Sequence, residues 1–382
     1  MTPGQHDAAM IDHLRWGQSL RVLDREAGLL HQCSSTRGTP IRHGLLGEHC
    51  PAMAANAFHT SKITGSGAQE RNWGASKSAP LQVAHYTGAM HPPVRLVAID
   101  MDGTLLPAIG QALTPRTARA LRAAQTAGIT VAIATGRRPA YTAPLFEGLG
   151  LRADTPLIAS NGAVIRTLGG EPIDRCQLQA RVARGLCGLL RPFGALVFTF
   201  DKPGRGELAL EDLEQAHARI ALWIEANRDA IEVVKPLEDA LRDGEDPIQG
   251  MVTGGLSKMR KAEKAIKASE WSGSCECVRT EYPGRDLSIL DLLPPGVSKG
   301  WALQRLAARL GVDRKQTMAI GDNWNDVDML EWAGQGVIMG NAAAELRALA
   351  KMRGWKQAPP NNEDGVAVVL EAAVAKFSAA KV

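Results

Sequence analysis

The stretch Val97-Ala98-Ile99-Asp100-Met101-Asp102-Gly103-Thr104-Leu105-Leu106-Pro107 decides the reading of this chain. The apolar run from Leu96 to Ile99 has the composition of a strand buried on both faces in a parallel sheet. It stops in two carboxylates two residues apart, and Gly103 and Thr104 then turn the backbone away. In an open α/β sheet, ligands sit in the crevice beyond the carboxyl ends of the strands. A period of two puts Asp100 and Asp102 on the same side of the chain. Crowded carboxylates repel each other, so the pair calls for a cation or a shared proton. Asp-x-Asp-Gly also occurs as a solvated turn. The rest of the sequence separates the two readings.

Further along, Ile129 to Ala134 is a second apolar strand, ending in Thr135-Gly136-Arg137. Gly296-Val297-Ser298-Lys299-Gly300 opens a helix, with Ser298 as its N-cap and Lys299 in the first turn. Thr317 to Ile320 is another buried strand, ending in Gly321-Asp322-Asn323-Trp324-Asn325-Asp326. Two further segments stand out, Ser160-Asn161-Gly162-Ala163 and Asn361-Asn362-Glu363-Asp364-Gly365-Val366-Ala367. On these segments and their order, the chain resembles the haloacid dehalogenase (HAD) superfamily of phosphotransferases, and within it the Cof-type, type IIB hydrolases. The resemblance covers about residues 94 to 375, the middle third only in pattern.

The local pattern agrees. Thr114 can cap a helix that carries Pro115 in its first turn, Ala118, Leu121 and Ala124 give it an apolar face, and Gly128 stops it. A helix around 140–148 and a strand from Pro156 to Ala159 follow. This β-α-β alternation predicts an α/β fold, a doubly wound parallel-sheet (Rossmann-like HAD) core. Residues 175–288 interrupt it and read as an inserted α+β cap, leaving 90–174 and 289–382 as the catalytic core. Within the insertion the pattern predicts helices over 178–190, 213–227 and 256–268, and strands over 195–200, 248–252, 275–280 and 286–290. An acidic, Gly-rich loop is expected within 239–255. Lys258, Arg260, Lys261, Lys264 and Lys267 form a basic face that reads as a solvated helix surface. The C-terminal helix is expected over 366–377.

Residues 1–89 differ in composition. Seven of the nine histidines (His6, His13, His31, His43, His49, His59 and His85) fall there, among Gly, Ser and Gln. Apart from an imperfect apolar stripe within 8–30, the segment reads as a largely disordered extension. It is expected to be either a dispensable tail or an upstream translation artefact, since Met90 immediately precedes the first core strand.

A chain of 382 residues accommodates two domains with real cores. A formal charge of +4, with dispersed basic residues, gives no nucleic-acid footprint. Neither a membrane-length apolar run nor a secretory leader is visible, so a cytoplasmic location is expected. Of the six cysteines only Cys275-Glu276-Cys277 has suggestive spacing, and no second pair completes a zinc site, so reduced thiols are expected.

Phosphoryl transfer needs a nucleophile, neutralisation of the phosphoryl oxygens and a proton for the leaving oxygen. The core positions offer carboxylates and no histidine, which suits Mg²⁺ better than zinc. By resemblance, Asp100 is the nucleophile and a metal ligand. Asp102 is the general acid, then the base, and lends its backbone carbonyl to the metal, while Asp322 completes the carboxylate ligands. Thr135, Gly136, Lys299 and Asn325 would hold the phosphoryl group. Asp326 would orient Lys299 or the metal shell, and Thr104 would fix the motif loop. The resemblance thus implies a Mg²⁺-dependent phosphatase of small phosphorylated metabolites, sugar phosphates first, acting through an aspartyl-phosphate. A phosphomutase or a sugar-phosphoglycerate phosphatase would share every catalytic residue. A non-enzymatic regulator is the reading of a different class, and the intact carboxylate set argues against it.

Overall fold

The computed structural model describes residues 92–106, 112–213, 220–242 and 245–380. The N-terminal extension and its expected helix lie outside the described residues.

Strand β1 (Leu96–Asp100) is wholly buried and lies in the middle of the first sheet. The chain then runs through a helix (Pro115–Ala127) into β2 (Thr130–Ala134), and through a short helical passage into β3 (Pro156–Ala159). The first helix begins and ends as its residues dictate. The Thr114 side chain accepts from the Thr117 N–H, Pro115 opens the first turn, and Gly128 stops the helix in a left-handed conformation. Two strands that the pattern had not revealed follow, β4 (Val164–Thr167) and β5 (Pro172–Arg175), and both pair antiparallel at the sheet edge. Each has only four residues and no sustained alternation, which explains why they were not legible.

The second sheet is built from β6 (Leu196–Thr199), β7 (Leu208–Leu210), β8 (Ile231–Val233), β9 (Gln249–Gly254), β10 (Glu276–Tyr282) and β11 (Leu287–Leu293). Its order is β10-β11-β9-β6-β7-β8, antiparallel except between β7 and β8. Helices Ala180–Leu190 and Leu256–Lys267 cover one face, burying Leu186, Met259 and Ile266 against Phe198, Val252 and Leu290. The basic side chains Lys258, Arg260, Lys261, Lys264 and Lys267 are exposed, as a solvated face requires.

Of the helix expected over 213–227, Ala221–Ala226 is helical and residues 214–219 lie outside the described residues, with the short strands β7 and β8 flanking that region. The strand expected over 248–252 is β9, a central strand, so the loop within 239–255 ends where β9 begins at Gln249. The last strand of this sheet, β11, runs on to Leu293 and delivers the chain directly to helix Lys299–Leu310.

The chain then resumes the first sheet with β12 (Thr317–Gly321), β13 (Gln335–Ile338) and β14 (Lys356–Gln357), and ends in helix Gly365–Ala379. The order is β14-β13-β12-β1-β2-β3-β4-β5, and β1 pairs parallel with both β12 and β2. Strands grow outward on both sides of β1. The strand order therefore reverses there, and a crevice opens beyond the carboxyl ends of β1 and β12.

Candidate active site

Two parallel strands deliver the first carboxylates. Asp100 ends β1, and Asp322 follows the end of β12. The loop after β1 is pinned to Asp322, whose Oδ1 accepts from the Thr104 hydroxyl at 2.9 Å. Gly103 has φ +87°, and a Cβ there would come within 2.4 Å of Asp322 Oδ2, so only glycine lets the loop lie this close.

Asp326 closes the other loop. Its Oδ2 accepts from the backbone N–H groups of Asp322 and Asn323, both at 3.0 Å, which turns the chain sharply after β12. Its Oδ1 takes a hydrogen bond from Lys299 Nζ at 2.7 Å, and the same ammonium donates to Asp100 Oδ1 at 2.5 Å. Lys299 reaches this point because Ser298 caps its helix, accepting from the Trp301 N–H at 3.1 Å. Gly162 packs beneath the cap with φ +103°, where a Cβ would meet the Ser298 carbonyl at 2.2 Å.

Burial dominates the electrostatics. It pushes Asp100 up to about 7, reinforced by the charge of Asp326 and opposed by Lys299. Burial raises Asp322 well above the usual carboxylate range too, with Asp100 and Asp326 adding to it. Burial alone would lower Lys299, but Asp100 and Asp326 outweigh it and hold the ammonium charged. Carboxylate oxygens of Asp100, Asp322 and Asp326 lie within 4.8 Å of one another. This is an all-oxygen donor set whose members are costly to ionise without a cation, and it could hold a hard divalent ion. Asp326 spends both oxygens on Lys299 and the backbone, so Asp100 and Asp322 are the freer donors.

Asp102 stands apart from that cluster. Its carboxylate is gripped by Arg137, Nε to Oδ2 at 2.8 Å and Nη2 to Oδ1 at 2.5 Å. Arg137 also lies over the ring of Tyr141, 5.1 Å from its centroid. Thr135 is buried and accepts from the Arg137 N–H at 3.1 Å, so it steadies the turn that aims this arginine.

A cavity of about 220 Å³ opens above these groups. Of the residues singled out in the sequence, Asp100, Asp102, Gly136 and Asn325 line it, while Thr104, Thr135, Lys299, Asp322 and Asp326 stand behind that lining. Sequence reasoning missed a polar chain joining the two sheets. Asn325 Nδ2 donates to Asn161 Oδ1 at 3.1 Å, and Asn161 Nδ2 to Asp291 Oδ2 at 2.8 Å. Gln249 Nε2 donates to Asp291 Oδ1 at 2.5 Å. Asn161 sits at φ +50° to make these contacts. Arg137 and Asn161 lie inside segments already conspicuous in the sequence, so position beside Thr135-Gly136 and Gly162 was the available signal. Asp291 and Gln249 carried none.

The fold and site together are those of a HAD-type phosphatase. The chain matches the haloacid dehalogenase-like hydrolases over residues 97–370 and belongs to that family. It is similar to Phosphatase YwpJ of Bacillus subtilis, 29% identical over 296 residues that take in 73% of this chain and 99% of the relative. HMP-PP phosphatase of Cronobacter sakazakii is 33% identical over 262 residues, 66% of this chain and 87% of the relative. A haloacid dehalogenase-like hydrolase from B. subtilis superposes with a TM-score of 0.59 at 26% identity, over 73% of this chain and 99% of that one. The protein is a phosphoric monoester hydrolase acting on small phosphorylated compounds. Among the described residues no helix is long and apolar enough to cross a membrane.

Proposed function

We propose that this chain is a Mg²⁺-dependent phosphatase working through an aspartyl-phosphate on Asp100. One observation carries the reading. Asp100 lines the cavity, held by Lys299, while Asp102 lines the same cavity on a separate support, Arg137. Nucleophile and proton donor are thereby held as two independent carboxylates.

In the first step an Asp100 oxygen attacks phosphorus, the bond to the leaving oxygen breaks, and Asp102 gives that oxygen its proton. In the second, water attacks phosphorus, Asp102 takes a proton from it, and the bond to Asp100 breaks. Gly136 N–H and Asn325 would hold phosphoryl oxygens from the cavity wall, with Thr135 and Lys299 supporting them from behind. Asp100, Asp322 and the Asp102 backbone carbonyl would hold Mg²⁺, which when bound supplies charge neutralisation on the transferring group. The inserted cap, from about residue 175, would supply the surface that meets the leaving group. The sugar-phosphate class expected for that leaving group rests on resemblance alone.

The test is Mg²⁺-dependent phosphate release with capture of the phosphoenzyme. Asp100→Asn should abolish both release and hydroxylamine-sensitive labelling while leaving the fold intact. Appreciable turnover in that variant would sink the covalent route.

A further inference from the structure

Strand pleating decides what a substrate meets beyond its phosphoryl group. Alternate residues of a strand share one face, and the side of the second sheet away from its covering helices presents Gln249, Met251 and Thr253 from β9. Leu287, Ile289 and Asp291 come from β11, and all six line the cavity. Trp223 joins them from helix Ala221–Ala226, and Tyr141 closes the core side. Trp223, Met251 and Leu287 are only partly buried, packed behind by a small apolar cluster containing Leu208 and Ile231. Large apolar side chains have thus been left facing the cavity.

Apart from the exposed Arg285, the charged and amide groups on the same walls are already engaged. Arg137 holds Asp102, and Gln249 is bonded to Asp291. Arg138 donates to Glu207 and, at 2.9 Å, to Asn227 Oδ1. Asn323 exchanges hydrogen bonds with the backbone of Glu281 at 3.2 and 3.3 Å. A hexose body would bring several hydroxyls against Met251, Leu287, Ile289 and Trp223, and burying a hydroxyl unpaired is costly. A flat ring gains from the same surfaces, above all from an indole face.

Building on the phosphatase reading above, we propose that the substrate is a phosphomonoester of a primary alcohol carrying a planar aromatic or heteroaromatic ring, the ring lying against Trp223 and the Met251–Leu287–Ile289 wall. Thr199, Thr253 and Thr280 leave hydroxyls on the wall for a few polar substituents.

The experiment compares three primary phosphomonoesters of similar leaving-group basicity with full-length protein and Mg²⁺: benzyl phosphate, glucose 6-phosphate and glycerol 1-phosphate. The expected result is a kcat/KM at least roughly tenfold higher for benzyl phosphate than for either of the others. Trp223→Ala should erase most of that difference, mainly by raising KM for benzyl phosphate. Glucose 6-phosphate turned over as well as benzyl phosphate, or a Trp223→Ala loss equal for all three, overturns the ring assignment and leaves the phosphatase reading standing. Absence of Mg²⁺-dependent release from all three overturns the phosphatase reading. In that event, titration of the Asp100→Asn variant by calorimetry decides the ring assignment: tighter binding of benzyl phosphate than of glucose 6-phosphate supports it, and equal or weaker binding overturns it.

Discussion

Arg137 grips Asp102 through two parallel hydrogen bonds, at 2.8 and 2.5 Å, and so fixes the plane of that carboxylate as well as its position. A fork of this kind cannot be replaced by a lysine, whose ammonium is a point donor on a flexible stem. Arg137→Lys should lower kcat on an unactivated ester by roughly ten- to a hundredfold, a share of what proton transfer contributes. The loss should be smaller on p-nitrophenyl phosphate, whose leaving group needs less help. An equal loss on both esters would show that Arg137 does not serve the leaving-group proton.

Lys299 neutralises two buried carboxylates at once. Lys299→Met leaves Asp100 and Asp326 without a cation, and breaking a buried ion pair from one side typically costs about 3–5 kcal/mol. Calorimetric melting should fall by several degrees, and activity should vanish whatever the substrate. Adding Asp326→Asn should restore part of the lost stability, because it removes one of the stranded charges. A melting temperature unchanged by Lys299→Met would contradict this account.

Cation binding can be read without turnover. Magnesium at a hundred times its dissociation constant should stabilise the folded chain by about 2.7 kcal/mol. A rise in melting temperature, reversed by chelator and missing in Asp322→Asn, is the expected outcome. An equal rise in the variant would place the ion elsewhere.

Asp291 gives a pH-dependent signature. Burial pushes its carboxyl from 3.8 up to about 7, against the pull of the Gln249 and Asn161 amides. Between those values the folded chain binds a proton that the unfolded chain has lost. Stability from this group is therefore greatest below about pH 4 and falls as pH rises towards 7, by at most about 4 kcal/mol. Asp291→Asn removes the titration, so the melting temperature of the variant relative to the parent should climb across that window. A flat difference between pH 4 and 7 would refute it.

The catalytic half of the molecule was legible because each of its groups follows an apolar strand or opens a helix. Leu96 to Ile99 and Thr317 to Ile320 announce themselves by composition, and Ser298 announces the helix that carries Lys299. The cap was legible only in outline. β7 and β8 have three residues each, too few to set a period, and their pairing is supplied by β6 and by each other. Asp291 was invisible for a different reason. It lies within Leu287–Leu293, an otherwise apolar strand, and its partners Asn161 and Gln249 are 130 and 42 residues away. Nothing local marks such a residue, since its neighbours are chosen by the way two sheets meet. The destination of the Arg137 side chain is likewise a tertiary matter, although its address beside Thr135-Gly136 was plain.

The pairing of Arg138 with Glu207 and Asn227 spans from the first sheet to the second, and the exchange between Asn323 and Glu281 does the same on the other side of the cavity. The first is well shielded from water, with the Arg138 and Glu207 side chains only 14% and 5% exposed. Any motion that parts the two sheets must unfasten and rehydrate an ion pair, an event whose rate belongs to the protein and is the same for every cargo. Solvent viscosity and ionic strength would act on that event, and for a fast-reacting ester it would set the ceiling on traffic through the site.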